Sequence, residues 1–381
     1  MTTKTASGLR FSCLPENLIA GLATVSKAVP TKPALSILTH VLISTDRGGL
    51  RLSANNLDFA TSCWIGGKVE NEGAIALPYS LLSRLANSLV AIDDKIDVSL
   101  TPKGMALIFK CGTTESRISG MDANDFPPIP ETKQGVRKVE PTVLRSAIKK
   151  VAFAAAPSVA DKPILTGVLM EFSEDSLTLV GADGYLLAIQ KIKGLVPQEA
   201  RSILVPASAL LELGRLLADQ SEPIEITADN SRIAFGMKNV EFTSQLLQGK
   251  YPNYRQLVPQ SPTSTKTTVN LAELRTAVKR ASIFAGDRKI RIYANEQTLR
   301  VSAHRDEMGR SDTEVTAITV GDASKIALKD EQVGDVMAVL DGDNVTIEIV
   351  SPFTPCVFTQ DSDKDYLCVV MPMHDNWAEQ A

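Results

Sequence analysis

The sequence predicts an α+β protein that contains three copies of one domain, and three repeated patterns support this prediction. A short helix pattern, a strand that ends in a turn, and a strand that leads into a second helix each occur three times in the same order. Their first residues are Leu18, Leu144 and Leu274 for the helix, Leu50, Leu177 and Leu299 for the strand and turn, and Ile75, Ile203 and Ile326 for the second strand. Equivalent positions are 122 to 130 residues apart, which is the size of a domain and far above the roughly 20–50 residues of a solenoid unit.

Each copy is predicted to begin with a strand and an amphipathic helix. In the second copy, apolar residues recur at helical spacing from Val143 to Val151, and Pro141 stands where a helix would begin. Strands are expected over the runs 37–43 and 164–170, and alternating residues predict strands with one solvated face from Leu50 and Leu177. Second helices are expected over 78–89, 206–217 and 329–340, followed by strands over 96–100, 224–227 and 345–349. Two helices with several strands joined by short turns give the α+β class.

The composition is that of an ordinary globular protein. Of the 381 residues, 44% are hydrophobic and 22% are charged, as is typical of folded domains. The five cysteines are scattered and form no CxxC pair, so we expect reduced thiols in an intracellular protein, with neither a disulfide framework nor a metal site. No signal peptide or membrane-length apolar run is visible, so we expect a cytoplasmic protein. Its formal net charge of −4 means that binding to nucleic acid would need a local basic surface.

Two turn-rich segments separate the copies. The first is 125–130, which contains three prolines, and the second is 251–259, which is followed by a polar stretch over 260–268. Clusters of proline and small polar residues between periodic segments are typical of loops and linkers. We therefore expect domains at 1–125, 126–259 and 260–381.

Several motifs, taken in order, resemble one known family. They are Asp125-Phe126-Pro127, the segments 162–169 and 182–188, Tyr251-Pro252-Asn253-Tyr254-Arg255, and Val369-Val370-Met371-Pro372-Met373. Together with the threefold repeat, they resemble the bacterial DNA polymerase III β subunit family, the sliding clamps. The resemblance implies three clamp-type domains per protomer and a head-to-tail homodimer, closed into a ring whose helices surround double-stranded DNA.

The same resemblance implies a function and a set of partners. The expected function is that of a processivity factor that tethers the replicative polymerase to DNA, with no catalytic activity and no cofactor. The expected partners are double-stranded DNA, a second copy of the chain, the DNA polymerase III α subunit, the clamp loader and other proteins with a clamp-binding motif, and no membrane.

Basic residues recur at matching positions of two predicted helices. Arg145 and Lys149 lie four residues apart in the second copy, as Arg275 and Lys279 do in the third, so each pair shares one helix face. A solvated helix face would explain one such pair, but the repetition favours a surface that attracts phosphate without reading bases. The first copy lacks the pair. The expected DNA-facing set is Lys27, Lys32, Arg84, Arg145, Lys149, Lys150, Lys162, Arg215, Arg275, Lys279 and Arg280.

By resemblance, partner proteins insert a short peptide into an apolar pocket near the C-terminus. Methionines beside a proline would suit such an adaptable surface, although residues 370–373 could equally complete the core of the last domain. The chain departs from the family pattern at Tyr185-Leu186 and in a tail over 374–381, which could lie over the pocket or fray. The expected pocket residues are Leu165, Ala182, Gly184, Tyr185, Leu187, Pro252, Leu257, Val369, Val370, Met371, Pro372 and Met373.

The joint between protomers is expected to involve Ile283 and Phe284 after the third-copy helix, facing a first-domain strand around Ile118. These three residues could equally belong to the core. They mark where the proposed ring would close.

Two other classes of function remain open at this point. An enzyme has little support, because the three histidines lie in unrelated settings and the HExxH, GxSxG, Walker A and GxGxxG patterns are absent. The segment 341–344 is similar to the start of a calcium loop, but Pro352 occupies its twelfth position, which favours a turn. The other alternative is a clamp-like scaffold that binds proteins without encircling DNA.

Overall fold

The computed structural model describes residues 8–90, 94–102, 105–129, 137–157, 162–195, 200–259 and 264–376. Within them, the order strand, helix, four strands, helix and three strands occurs three times, with one extra strand in the first copy. The first copy comprises β1 (Arg10–Cys13), α1 (Pro15–Val25), β2 (His40–Asp46), β3 (Gly49–Asn55), β4 (Phe59–Ile65), β5 (Lys68–Asn71), β6 (Ala74–Pro78), α2 (Tyr79–Leu89), β7 (Ile96–Leu100), β8 (Ala106–Cys111) and β9 (Thr114–Ser119).

The second and third copies repeat this order. The second comprises β10 (Arg137–Val139), α3 (Pro141–Ala152), β11 (Gly167–Phe172), β12 (Ser176–Ala182), β13 (Leu186–Lys193), β14 (Arg201–Pro206), α4 (Ala207–Leu216), β15 (Ile224–Ala228), β16 (Arg232–Gly236) and β17 (Val240–Gln245). The third comprises β18 (Thr265–Asn270), α5 (Leu271–Ile283), β19 (Lys289–Ala294), β20 (Thr298–Arg305), β21 (Gly309–Gly321), β22 (Ser324–Lys329), α6 (Asp330–Val339), β23 (Asn344–Ile349), β24 (Cys356–Gln360) and β25 (Asp363–Val370).

The first helix of each copy follows from local sequence signals. In α3, Pro141 is the first residue, and Leu144, Ile148 and Val151 form a buried stripe at helical spacing. In α5, the Asn270 side chain accepts hydrogen bonds from the first-turn amides of Ala272 and Glu273 at 3.0 and 3.1 Å, which is a typical N-cap.

Two sequence expectations need small corrections. Residues 36–39 and 163–166 form 3-10 turns, so only the second half of each predicted strand over 37–43 and 164–170 belongs to β2 and β11. The second helices begin one residue later than expected, because Pro78, Pro206 and Lys329 are the last residues of β6, β14 and β22. A proline at the position before the helix keeps an extended backbone and leaves no amide unpaired.

The strands form three antiparallel sheets whose order crosses the sequence repeat. A five-stranded sheet has the order β5-β1-β7-β8-β9. An eight-stranded sheet, β10-β15-β16-β17-β4-β3-β2-β6, joins the second copy to the first through the pairing of β17 with β4. A twelve-stranded sheet, β14-β11-β12-β13-β25-β24-β23-β18-β21-β20-β19-β22, joins the second copy to the third through the pairing of β13 with β25.

The chain divides into two compact units, residues 1–142 with 215–246 and residues 143–214 with 247–381. The first unit holds the five- and eight-stranded sheets, and the second holds the twelve-stranded sheet. The division passes through the second copy because β15–β17 continue a sheet of the first copy, whereas β11–β14 continue the sheet of the third.

The apolar faces of the helices form the core of each unit against the sheets. Gly21 in α1 shows how close this packing is: a Cβ atom there would lie 2.6 Å from Ile65 Cγ2 and 2.7 Å from Leu52 Cδ1. The structure describes no helix that combines the length and the apolar character needed to cross a membrane.

Candidate functional site

The basic residues of α3 do not share one environment. Arg145 and Lys149 are exposed on the face opposite the buried stripe, as the helical spacing predicts. The Lys149 ammonium lies 3.8 Å from Asp341, a solvent-exposed pair of the kind that contributes little to stability. Both side chains are therefore accessible to a polyanion.

Lys150 occupies a different position, and the expectation that it lies on a solvated, DNA-facing surface is corrected. It is only 4% exposed, and its Nζ donates to Asp363 Oδ2 at 2.8 Å and lies 3.7 Å from Asp341 Oδ2. The ammonium also lies 5.5 Å from the centre of the Tyr366 ring. A buried ammonium needs such a partner, so Lys150 connects α3 to β25 and is not available to phosphate.

In the third copy, the basic residues of α5 also divide by role. Lys279 and Arg280 are exposed. Arg275 is exposed as well, but its guanidinium donates from Nε to the Met337 carbonyl at 2.7 Å and from Nη2 to the Leu340 carbonyl. These carbonyls end α6, where a positive charge is favourable. Arg275 therefore caps α6 while remaining at the surface.

The remaining predicted DNA-facing residues are surface residues on several elements. Lys27, Lys32, Arg84, Lys162 and Arg215 are all exposed. Arg215 donates from Nη2 to the Thr24 carbonyl at 3.1 Å, close to the end of α1. Helix α1 itself carries no lysine or arginine, as the sequence indicated.

An apolar cluster in the second unit contains four of the residues predicted for the partner pocket. Its buried members come from the segment after α3, the 3-10 turn at 163–166, strands β11–β14, β24 and β25, and the segment around Tyr251. The predicted members are Leu165, Ala182, Leu187 and Val369. The full cluster, called here the apolar cluster, is Ala156, Leu165, Leu169, Val180, Ala182, Leu187, Leu204, Tyr251, Tyr254, Val357 and Val369.

Two tyrosines of the apolar cluster were missing from the predicted set, although the motif over 251–255 contains them. The Tyr254 hydroxyl donates to Glu171 Oε2 at 2.6 Å, and Arg255 Nη2 donates to the same oxygen at 2.7 Å. The Arg255 guanidinium also lies 4.6 Å from the centre of the Tyr254 ring. Burial and the neighbouring Glu171 carboxylate raise the pKa of Tyr254. Tyr254 therefore stays protonated and fixes the edge of the cluster.

Other predicted pocket residues are exposed or half-buried. The exposed ones are Gly184, Tyr185, Pro252, Leu257 and Met371, and the half-buried ones are Pro372 and Met373. Exposed apolar side chains such as these are available to a ligand.

Val370 requires a correction. It is fully buried and pairs with Leu186 in the sheet, whereas its neighbour Val369 pairs with Leu187 and lies in the apolar cluster. Successive side chains of a strand point to opposite faces, so Val370 belongs to the opposite face and serves as a core residue.

The C-terminal segment is tied to the third copy. Met371 donates its amide to the Tyr185 carbonyl at 2.8 Å, and Met373 donates its amide to the Ala327 carbonyl at 2.8 Å. Asp375 is buried, and Arg291 donates to both of its oxygens at 2.9 Å, with Lys289 Nζ 3.3 Å away. The tail expected to cover the pocket or fray is thus anchored through Asp375, while residues 377–381 lie outside the described residues.

The predicted joint residues are also in different environments. Ile283 is 68% exposed, and Phe284 is half-buried beside Gly309. Ile118 is 3% exposed, so its expected role as a surface contact is corrected. It is the inward-facing residue of β9, an edge strand whose Glu115, Arg117 and Ser119 face outward.

Comparisons with known proteins cover almost the whole chain. The N-terminal, central and C-terminal domain families of the DNA polymerase III beta subunit match residues 9–130, 138–253 and 255–374. The beta sliding clamps of Bacillus subtilis (strain 168) and Staphylococcus aureus (strain Mu50) are 25% identical over 380 and 378 residues, which is 96% of this chain and 99% of each relative.

Solved structures agree with this assignment. The DNA polymerase sliding clamp from Bacillus subtilis matches with a TM-score of 0.91 at 24% identity, covering 97% of this chain and 100% of that one. The DNA polymerase III subunit beta from Pseudomonas aeruginosa matches with a TM-score of 0.88 at 26% identity, covering 96% and 100%. The chain therefore belongs to the DNA polymerase III beta subunit family, the sliding clamps, which are non-catalytic processivity factors of DNA replication.

Proposed function

We propose that two copies of this chain join head to tail into a closed ring that encircles double-stranded DNA without sequence specificity. The ring tethers the replicative polymerase and so confers processivity. The observation that carries the proposal is the threefold repeat of one element order. Head-to-tail contacts form a closed ring only when the rotation between neighbouring copies completes a circle, and three similar units in each protomer allow two copies to do so. We propose domain boundaries at 1–125, 126–259 and 260–381.

The proposed inner surface attracts phosphate through exposed basic side chains on helices. Sliding requires contacts to phosphate and none that read bases, since base contacts would hold the ring at one sequence. The exposure of Arg145, Lys149, Lys279 and Arg280 supports this role, and the net charge of −4 supports a body that does not attract DNA elsewhere. Lys27, Lys32, Arg84, Lys162, Arg215 and Arg275 complete the proposed set, from which Lys150 is removed.

The proposed partner site is the apolar cluster with the exposed residues around it. A short peptide would place apolar side chains between Met371 on one side and Leu257 on the other. The proteins that contain this peptide would be the DNA polymerase III α subunit, the clamp loader and other proteins with a clamp-binding motif. The binding would take place in the cytoplasm. Methionine suits several ligands because its side chain adapts to different shapes.

The proposed joint uses Ile283 and Phe284 on one protomer and the edge strand β9 on its partner. Large exposed apolar side chains and an unpaired strand edge are the features that a second chain would cover. In this arrangement the backbone of β9, and not the Ile118 side chain, provides the contact.

The test removes charge from the proposed inner surface without disturbing the helices. The variant carries Arg145→Gln, Lys149→Gln, Lys279→Gln and Arg280→Gln, and it spares Arg275 because that residue caps α6. The matched control carries Lys110→Gln, Lys193→Gln, Lys238→Gln and Lys266→Gln, four exposed lysines that lie on strands or beside them. Both variants lose four positive charges. The control also breaks four exposed ion pairs, which contribute little to stability.

The measured quantity is the salt dependence of the equilibrium constant K for binding to a short linear duplex, whose open ends let the ring leave without opening. Each phosphate that the protein no longer neutralises lowers the slope of log K against log salt by about 0.9. We therefore expect the helix variant to lower this slope by roughly 3–4 and the control to leave it unchanged. Equal slopes for the two variants would remove the assignment of these helices to DNA.

A second candidate function is a scaffold that binds proteins without encircling DNA. It is favoured by one observation, that α1 contains no basic residue and carries only Glu16 as a charged side chain. If this candidate were correct, the purified protein would bind the polymerase peptide and fail to stay on circular DNA at any salt concentration.

A further inference from the structure

Strand β21 changes character halfway along its outward face. The half that pairs with β20 presents charged or polar side chains, whereas the half that pairs with β18 presents two aliphatic ones, Ile318 and Val320. These two side chains, called here the β21 patch, are 72% and 69% exposed. Single exposed apolar side chains are ordinary, but neighbours on one face form a patch that can bind another molecule. The outward residues of the polar half are Arg310, Asp312, Glu314 and Thr316.

The strand does not need these two aliphatic side chains in order to form. A β-branched residue favours a strand, and β21 already has threonine, which is β-branched and polar, at positions 313, 316 and 319. Threonine at positions 318 and 320 would keep the strand preference without exposing apolar surface to water. A contact with another chain therefore explains the β21 patch better than strand formation does.

Pairing across the twelve-stranded sheet puts the β21 patch on the same face as the apolar cluster. Directly paired residues of antiparallel strands lie on one face of the sheet. From β25 to β21, one such row is Val369, Val357, Glu348, Lys266 and Val320. The first two residues belong to the apolar cluster, and the last belongs to the β21 patch. The patch is therefore continuous with the proposed partner site, and one ligand can contact both.

The surface between the apolar cluster and the β21 patch is polar, and its polar groups pair with one another. Lys266 Nζ donates to Glu348 Oε1 at 2.9 Å. In the next row of the same face, the hydroxyl oxygens of Thr268 and Thr346 lie 2.9 Å apart. A segment that crosses this strip needs no charged partner of its own. Its affinity would therefore come from the apolar residues at its two ends, with polar residues between them.

We propose that the β21 patch is a second contact for the chain whose peptide occupies the apolar cluster, and that it binds a large aliphatic or aromatic residue about six residues away along that chain. Val369 and Val320 are separated by four strand spacings, which at about 4.8 Å each amount to roughly 19 Å. An extended chain covers roughly 3.3 Å per residue, so about six residues span this distance. The proposal rests on the proposed peptide-binding role of the apolar cluster and adds a second anchor to the same ligand.

The experiment measures, by calorimetry, how the full-length protein binds the clamp-binding segment of the DNA polymerase III α subunit, called here the polymerase-tail peptide. The peptide is extended at its N-terminus or at its C-terminus by five glycine and serine residues and a terminal leucine, and each matched probe ends in serine instead. At one of the two ends, we expect the leucine probe to bind roughly tenfold more tightly than its serine counterpart, because part of the leucine side chain is buried. A leucine after only two linker residues reaches roughly 10 Å and should give no such gain.

The variant Ile318→Thr with Val320→Thr keeps the β-branched shape and removes the apolar surface, so it should bind the leucine and serine probes equally. The control variant, Leu35→Thr with Met105→Thr, removes two apolar side chains that are 53% and 54% exposed in the first unit, and it should keep the preference for leucine. Equal binding of the two probes to the wild-type protein at both ends, or a leucine preference that persists in the β21 variant, would overturn the proposal.

The unextended polymerase-tail peptide tests the proposed partner site separately. If this peptide does not bind, the partner site is wrong and the second contact fails with it. If it binds and the terminal leucine adds nothing, only the second contact is wrong. The comparison of the leucine and serine probes uses the wild-type protein, so it decides the matter even if the β21 variant fails to fold.

Discussion

Removing the Asp375 carboxylate should destabilise the third copy and loosen the segment that leads to it. Asp375 and Arg291 are each 3% exposed at their side chains and form two hydrogen bonds of 2.9 Å. Loss of one partner of a buried pair costs about 3–5 kcal/mol. Arg291 keeps Asp287 at 2.7 Å, so we expect Asp375→Ala to lower the free energy of unfolding by about 3 kcal/mol, the lower end of that range.

The pH dependence of this contribution has a definite sign. Burial pushes the pKa of Asp375 upward, but the hydrogen bonds and charges of Arg291 and Lys289 outweigh it, so the pKa lies below its ordinary value. The stabilisation is therefore complete above the unfolded-state pKa of about 4 and is lost as the pH falls through the folded-state pKa. The difference between wild type and Asp375→Asn should shrink below about pH 4.

The assay is urea unfolding followed by circular dichroism, with Asp306→Ala as the control. Asp306 is 95% exposed and contacts only His304, at 3.7 Å, among the ion pairs that the structure describes, so its loss should change stability by less than about 0.5 kcal/mol. The reasoning would be refuted if Asp375→Ala and Asp306→Ala had equal effects.

The same variant should also weaken the proposed partner site. Met371 and Met373 precede the anchor, and their ordering on binding costs about 0.5–1.5 kcal/mol each once they are free. We expect Asp375→Ala to weaken binding of the polymerase-tail peptide by about tenfold. Unchanged affinity would show that the anchor does not position these methionines.

Three further predictions concern substitutions of side chains described above. Lys150→Ala should lower the free energy of unfolding by about 2 kcal/mol because it removes the charge-assisted hydrogen bond between the buried Lys150 and the half-buried Asp363. Lys149→Ala should change this free energy by less than about 0.5 kcal/mol. Equal values in urea unfolding would contradict the different environments of the two lysines. The double variant Met371→Ala with Met373→Ala should weaken binding of the polymerase-tail peptide by at least about tenfold in calorimetry. Met105→Ala, at an exposed methionine, should leave the affinity unchanged. Equal affinities for the two variants would remove the assignment of Met371 and Met373 to the partner site. Phe284→Arg should convert the proposed dimer to a monomer in light scattering because a charge would be buried in the joint, and a dimer that persists would refute the placement.

The features that sequence could predict are those carried by local patterns. The repeat and the helix starts are visible because a buried stripe and a leading proline are local signals, as in α3. The alternation of a strand is a local signal as well, and it distinguishes core from surface at two corrected positions. Tyr366, Cys368 and Val370 alternate along β25, and this period places Val370 in the core. Ile118 is likewise the one large apolar residue of β9.

Other features depend on residues far apart in the chain. Lys150 is next to the exposed Lys149 in the sequence, and no local pattern distinguishes the two. The buried position of Lys150 depends on its hydrogen bond to Asp363, which lies 213 residues away. Asp375 lies in a polar tail, one residue beyond the last family-matched position, and its partner Arg291 is 84 residues away. Pairings at such distances follow from the sheet order, which no local pattern specifies.

Release of the loaded protein from DNA tests the central proposal most directly. The protein is loaded onto nicked circular DNA, the DNA is cut once with a restriction enzyme, and the bound protein is measured before and after the cut. A closed ring held by topology stays on the circle at high salt and leaves the linear molecule by sliding off its ends. Equal retention on circular and linear DNA, or loss from both at high salt, would contradict a ring that encircles the duplex.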